Sequence, residues 1–442
     1  MKKTISLLLA SSFTIMGWSQ QSFSLQQARK YALEHNYQAK NAAYDVEVAQ
    51  RKIKETIAIG LPQLSGKASY NNYIKQPVQL VPAEFFGGAP GEFSEIIFGT
   101  KQNATGELMA TQLLFDGSYI VGLQATKAYL ELAKNQQRLS DLEVQEAVTN
   151  AYHMVLVAEK NVTILESSLE KVKRIWRETQ AMFENGFVEE SDVDQMAINY
   201  KNLENSYNNA KVQAEVARKM LNFQLGLNLE ATITLTDGID ELAQMQSDQG
   251  FFQSTFDVSQ NANYQLANTN LMLQGLQLKN QKAKYLPQLS MFATHQENSF
   301  GNEFNFLSSD ATWFPTTLIG VNLNVPIFSS GMRRQQVKQA NIEVLKAEQT
   351  LLQATQGAEL EMLNARAEYN NALAVYQNET QSLKLAEKIK DKTTIKYQEG
   401  ISSSFELTQA ENQYLTTQGQ YIQATFSLLS SKNKLDKALN NY

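Results

Sequence analysis

The sequence predicts a mainly α-helical chain with a β membrane segment, made of a duplicated unit of two strands plus long coiled-coil helical hairpins. Three observations carry that expectation. The pentapeptide Leu-Pro-Gln-Leu-Ser occurs at 61–65 and again at 286–290, and other anchors recur in the same order around it. A repeat of this kind fixes architecture more firmly than local propensity does. All seven prolines (Pro62, Pro77, Pro82, Pro90, Pro287, Pro315 and Pro326) fall in two windows that open at the pentapeptide. The proline-free stretches between them are permissive for helix, since an interior proline costs ~3 kcal/mol, and they carry apolar residues at helical spacing.

The recurring anchors are Asn-Tyr-Gln at Asn36 and Asn263, Leu-Phe-Asp-Gly from Leu114 against Ile-Phe-Ser-Ser-Gly from Ile327, and Phe-Glu-Asn-Gly from Phe183 against Tyr-Gln-Glu-Gly from Tyr397. Six residues beyond Gly186 and Gly400 stand the carboxylates Asp192 and Glu406. Taken in order, the chain divides into a secretory leader at 1–19, a first helix at 20–61, a strand pair at 62–117, a long helical hairpin at 118–225 and a linking region at 226–256. The same plan then repeats as a helix at 257–286, a strand pair at 287–330 and a hairpin at 331–442.

The leader is expected from Met-Lys-Lys, a short apolar run and the small residues Gly17 and Ser19, which allow cleavage before Gln20. That run is shorter than the ~20 residues a spanning helix needs. In the hairpins, Leu139, Leu142, Ala147, Ala151, Met154 and Val155 share a face, as do Ile342, Leu345, Leu352, Leu360 and Leu363. The leading helices, near 118–183 and 331–397, would each run ~100 Å if continuous, a length that requires coiled-coil neighbours. Glycine turns at Asn185-Gly186 and Glu399-Gly400 end them, and Ser191 and Ser404 are expected to cap the returning helices. In the linking region Gly226, Gly238 and Gly250 interrupt the helical pattern.

Strands are expected near 64–74, 106–115 and 320–328, with a fourth beginning at Pro287. Val321, Leu323, Val325 and Ile327 alternate with Gly320, Asn322 and Asn324, giving one apolar and one polar face. A loop of about 20 residues joins the second pair, and the loops of both pairs hold aromatics: Phe85, Phe86, Phe300, Phe304, Phe306, Trp313 and Phe314. Four such strands fit a transmembrane barrel wall but cannot close one, and lipid tolerates no open edge. Three copies would supply 12 strands.

Composition excludes several function classes. The net charge of -6 carries no basic face for nucleic acid. Cysteine is absent, which removes disulfides, thiolate metal sites, thiol nucleophiles and lipidation after the leader. His35, His153 and His295 lie far apart. The nearest approach to a phosphate loop, 60–67, has five residues between its glycines and Ala68 in place of Ser or Thr. Catalytic residues, metal ligands and cofactors are therefore expected to be none. Glu189-Glu190 is a solvated turn pair.

The order helix, Leu-Pro-x-Leu, strand, loop, strand ending in Leu-Phe-Asp-Gly, long helix, glycine turn, carboxylate and helix, repeated twice over nearly the whole mature chain, resembles the TolC-type outer membrane efflux channel family. The resemblance implies a homotrimer in the outer membrane of a Gram-negative bacterium, with a 12-stranded β-barrel among outer-membrane lipid continued by a 12-helix periplasmic α-barrel. It implies the passive exit duct of a tripartite efflux or type I secretion system, partnered by a periplasmic adaptor protein and an inner-membrane transporter. The alternative is a periplasmic coiled-coil adaptor, which would show one hairpin in a β-rich core.

By the same resemblance, acidic residues after the second glycine turn ring the periplasmic constriction. The matching residues are Glu406 and Gln409, and in the first repeat Asp192 and Gln195. Three Glu406 carboxylates about an axis would repel one another, raise their pKa values and favour bound cations. Asp192 and Glu406 equally suit the first turn of their own helices. Tyr397 matches a position that holds the closed gate, although the usual cationic partner two residues past the glycine is Ser402 here. Gly186, Phe187, Gly400 and Ile401 match the tip turns where an adaptor docks. Pro62 and Pro287 mark the helix-to-strand junctions.

Overall fold

The computed structural model describes residues 21–248, 256–440 and 442. The expected leader and Gly250 lie outside these. In chain order the elements are β1 (Gln21–Phe23), α1 (Leu25–His35), α2 (Tyr37–Ile59), β2 (Gln63–Asn72), β3 (Gln79–Pro82), β4 (Phe93–Ile96), β5 (Gln102–Asp116), α3 (Gly117–Glu184) and α4 (Glu190–Leu225). There follow β6 (Ile233–Leu235), α5 (Ile239–Asp248), α6 (Ala262–Ala283), β7 (Gln288–Gly301), β8 (Phe314–Asn324), α7 (Met332–Gln398) and α8 (Ser404–Ala438). Two compact units emerge, one holding Gln136–Gln265 and Ala354–Tyr442 with the N-terminal helix, the other holding Asp45–Asn135 and Leu266–Gln353.

The second unit contains the antiparallel sheet β2-β5-β7-β8. Its register places Leu64, Ala110, Ala293 and Ile319 in one row across all four strands, with Met291 opposite Val321 and Leu289 opposite Leu323 on the same face. The other face carries the rows Lys67, Glu107, Gln296 and Ser69, Thr105, Asn298. There Gln296 Nε2 donates to Glu107 Oε2 at 2.8 Å and Thr105 Oγ1 to Asn298 Oδ1 at 2.9 Å. The apolar face is bare, with Leu64 77% and Ile319 72% exposed. Among the described residues, neither the outer edge of β2 nor that of β8 pairs with another strand.

The last strand differs from its expected span. It ends at Asn324, leaving Val325 and Ile327 outside, because Pro326 has no N–H to give to the ladder. At its other end it starts at Phe314 and runs through Pro315, which an edge strand tolerates. The connecting loop shrinks to 302–313. In the first pair the loop contains the small hairpin β3–β4 and a single 3₁₀ turn at Ala83–Phe86. Of the loop aromatics, Phe306 is buried and packs edge-on with Phe304 and Tyr70, while Phe85 and Phe86 stand exposed.

Both junctions turn sharply at proline. After Pro62, Gln63 Nε2 donates to the carbonyl of Leu61 and to that of Ala58, which also accepts from Leu61 N at 3.0 Å. Pro287 follows Leu286, whose N–H bonds the Ala283 carbonyl at 3.0 Å. Asp116 of the Leu-Phe-Asp-Gly anchor caps α3, its Oδ1 accepting from Ser118 N at 2.7 Å and Tyr119 N at 3.1 Å. The equivalent position in the second repeat has no carboxylate.

In the first unit the core is built by Val144, Val148, Tyr152 and Val155 of α3, Leu221 and Leu225 of α4, and Ala28 and Ala32 of α1. Of the expected α3 face, Leu142, Ala151 and Val155 are buried and Leu139 and Ala147 half-buried, while Met154 is 37% exposed. Leu360 and Leu363 of α7, expected on an apolar face, are bare in the single chain, whereas Tyr369, Leu373 and Tyr376 pack with Leu428 and Leu435 of α8. The first helix is broken at Asn36, whose Oδ1 accepts from Gln38 N at 2.7 Å and whose Nδ2 reaches the Gln224 carbonyl at 2.7 Å. In the second repeat that capping role falls to Asn261, two residues before the Asn-Tyr-Gln anchor. The linking region folds as β6, paired in parallel with β1, and α5.

Candidate gate at the helical turns

Each long hairpin reverses at a glycine held in the left-handed region, Gly186 at φ 76° and Gly400 at φ 73°. Orphan carbonyls at the helix ends dictate the geometry: Phe187 N bonds Met182 O at 2.9 Å and Ile401 N bonds Lys396 O at 2.8 Å. The residue after each glycine is thrown outward, leaving Phe187 78% and Ile401 75% exposed.

The returning helices start differently from the expected Ser191 and Ser404. Ser403 (φ −81°, ψ 161°) is the cap of α8, its Oγ accepting from Glu406 N at 3.2 Å while Glu406 Oε2 accepts from Ser403 N at 3.3 Å. This is a reciprocal capping box, legible in the sequence as Ser-x-x-Glu. Helix α4 is capped from Glu189, whose N–H donates to Asp192 Oδ2 at 3.2 Å. Ser191 instead hydrogen-bonds Glu189. Ser191 and Ser404 already lie inside α4 and α8, so neither holds the capping position.

The Glu406 side chain therefore folds back onto its own helix end, where Ser402 Oγ also donates to it. The Ser402 hydroxyl and then the Ser403 N–H hold its carboxyl below the ordinary range. Repulsion within a ring of copies would act in the opposite direction. Gln409 lies exposed one turn along the same face, and Gln195 is half-buried.

Two polar links tie the first hairpin to the second. Thr179 Oγ1 of α3 lies 2.6 Å from Tyr397 Oη of α7, and since Thr179 donates to the Ile175 carbonyl at 3.0 Å, Tyr397 is the donor. Burial raises the Tyr397 pKa, keeping the phenol neutral. The second link joins the Ser404 hydroxyl, at the first residue of α8, to Asp192 Oδ1. Below them Ile175, Met196 and Leu407 form a small buried cluster against which Trp176 and Tyr397 pack. The structure thus brings Asp192 and Tyr397 into the contact between hairpins and leaves Glu406 and Gln409 on the free face of α8. Thr179 carried no sequence signal and Ser404 was expected only as a helix cap, since a hydroxyl in a helix acquires a cross-helix role only from the helix it meets. Pro62 and Pro287 belong to the other unit.

Among the described residues no His, Cys, Asp and Glu cluster fits a metal ion, and no helix is long and apolar enough to cross a membrane. Residues 28–227 and 259–441 match the family model described as "Outer membrane efflux protein". No curated protein matches the chain. Solved structures do. The CmeC outer membrane channel of Campylobacter jejuni superposes with a TM-score of 0.71 at 21% identity, covering 94% of this chain and 85% of that one. The outer membrane protein VceC of Vibrio cholerae gives 0.68 at 17% identity, covering 94% and 95%. The open-state MtrE outer membrane channel of Neisseria gonorrhoeae gives 0.68 at 16% identity, covering 94% and 88%. At these identities the likeness is one of fold.

Proposed function

The chain belongs to the outer membrane efflux protein family, and from that premise we propose that three copies close a 12-stranded barrel through which substrate leaves passively after delivery by an inner-membrane transporter and a periplasmic adaptor. It is an outer-membrane exit duct of an efflux system. The family match excludes the adaptor alternative.

One observation carries closure by several copies, of which three would give 12 strands. The sheet β2-β5-β7-β8 exposes an apolar face and leaves both long edges without partners. In lipid each unpaired backbone group costs several kcal/mol, so β2 of one copy must meet β8 of the next. The rows containing Lys67, Glu107 and Gln296 would then line the lumen, and the bare apolar rows would face lipid.

At the turns, Asp192, Gln195, Tyr397, Glu406 and Gln409 form the periplasmic gate, and Gly186, Phe187, Gly400 and Ile401 the surface on which the adaptor docks. Asp192 and Tyr397 hold the hairpins together, while Glu406 supplies the charge of the constriction. The full chain extracted from outer membranes should have the mass of a trimer and conduct in planar bilayers. Glu406→Ala should raise its conductance and weaken block by divalent cations. A non-conducting monomer overturns the channel reading, and unchanged conductance and cation block in a conducting trimer overturn the gate assignment alone.

A further inference from the structure

The face that α8 buries carries polar residues along its whole length. Far from the turn Leu428 and Leu435 are fully buried beside Thr425 and Asn433, whose side chains are hydrogen-bonded to Tyr421 O and to Glu146 O. Near the turn the same face presents Ser404, Thr408, Glu411 and Gln418, all no more than 7% exposed. Thr408 Oγ1 and Gln418 Oε1 have no hydrogen-bond partner. Glu411, at 5% exposure, makes neither a hydrogen bond nor an ion pair among the described residues.

The groups around Glu411 come from three helices. Its own helix contributes Tyr414, beside which lies Glu387 of α7. From α7 come Lys390 and Asp391, and from α3 Lys171. Lys390 is itself buried but engaged elsewhere, its Nζ 3.3 Å from Asp391 Oδ1 and 4.0 Å from the centre of the Tyr414 ring. A nearby cation thus tempers the carboxylate without pairing with it.

We propose that Glu411 is a positioning residue for the gate: protonated, it lets α8 pack against α3 and α7 beneath the turn, and ionised, it loosens that packing and favours opening. A buried, unpaired carboxylate is costly when charged and cheap when neutral. Burial accordingly raises the Glu411 pKa, with Lys390 and Lys171 opposing. Leaving the seam rehydrates the carboxyl and returns it toward its ordinary value. The packed form therefore binds the proton more tightly, and by linkage acid favours packing while rising pH favours release. This inference rests on the gate reading above.

Two readouts on the intact protein separate the two ideas. In bilayers, the open probability of the wild-type channel should increase several-fold as pH is raised from acid to alkaline, and Glu411→Gln, neutral throughout, should remain low and flat. Lys390→Gln removes the tempering cation and should move the wild-type midpoint to higher pH. Independently of conduction, amide exchange in 404–418, corrected for its intrinsic pH dependence, should accelerate with pH in the wild type and not in Glu411→Gln. Conduction and exchange that are both pH-independent, or that respond identically in Glu411→Gln, overturn the proposal. A protein that does not conduct but whose exchange in 404–418 follows pH through Glu411 supports the packing role and defeats the channel premise.

Discussion

His153 of α3 is 4% exposed, and its Nδ1 has no partner. Burial, and then the Arg29 guanidinium, push its pKa down from 6.5 to about 4, against the opposing pull of Asp237. The folded state therefore binds fewer protons than the unfolded state between these values. Its contribution is intact above about pH 6.5 and is lost as pH falls toward about 4, by roughly 1.4 kcal/mol per unit and ~3 kcal/mol in all. Subtracting the urea-melt profile of His153→Leu from that of the wild type should isolate this slope. A flat difference would show that the imidazole is not buried as described. A hydrogen-bonded network lies beside it: Tyr152 Oη reaches Phe23 O and Asp237 Oδ2, each at 3.0 Å, while Leu25 N donates to the same Asp237 oxygen at 2.7 Å. Glu406 teaches a different point at this scale. Ser-x-x-Glu was readable as a cap, and the carboxylate so held also stands where the resemblance implies a charged constriction, its cap bonds made through Oε2 alone.

Among the elements, the helix ends offer a controlled comparison. Gly226, which ends α4, and Gly400, which ends α7, have nearly the same φ, 74° and 73°. Any L-residue there carries the left-handed penalty of about 1–2 kcal/mol. The surroundings differ. A Cβ on Gly400 would meet nothing within 4 Å, whereas one on Gly226 would stand 2.3 Å from the His35 carbonyl oxygen. Gly226→Ala should therefore lower the denaturation midpoint clearly more than Gly400→Ala, because backbone must move to relieve the clash. Equal losses in parallel thermal melts would mean that the close approach of α4 to the end of α1 is not maintained. The glycines themselves were plain in the sequence as helix stops. That one is required by conformation alone and the other also by space was not, since the second demand comes from a segment almost 200 residues away.

On the scale of the whole molecule, the tip turns and the sheet edges are both surfaces that the single chain leaves unfinished. Phe187→Asp combined with Ile401→Asp should abolish pull-down of a periplasmic adaptor and export through the assembled system, while the extracted protein keeps the proposed trimer mass and its conductance. Retained pull-down and export would remove the docking role, and loss of the trimer would show that the turns serve assembly instead. The sequence by itself determined the duplicated plan, the two-faced strands, the hairpin turns and the junctions at Pro62 and Pro287. Each of these is set within a few residues, by a missing N–H, a freed φ or a period of two or 3.6. Only the tertiary structure decided that Val144, Val148 and Tyr152 join the buried face of α3, that Tyr397 meets Thr179 218 positions away, that Asp192 joins Ser404, and that Glu411 lies buried without a partner. Those outcomes depend on how helices distant along the chain pack together, and burial turns an ordinary carboxylate, imidazole or hydroxyl into one whose protonation and pairing matter.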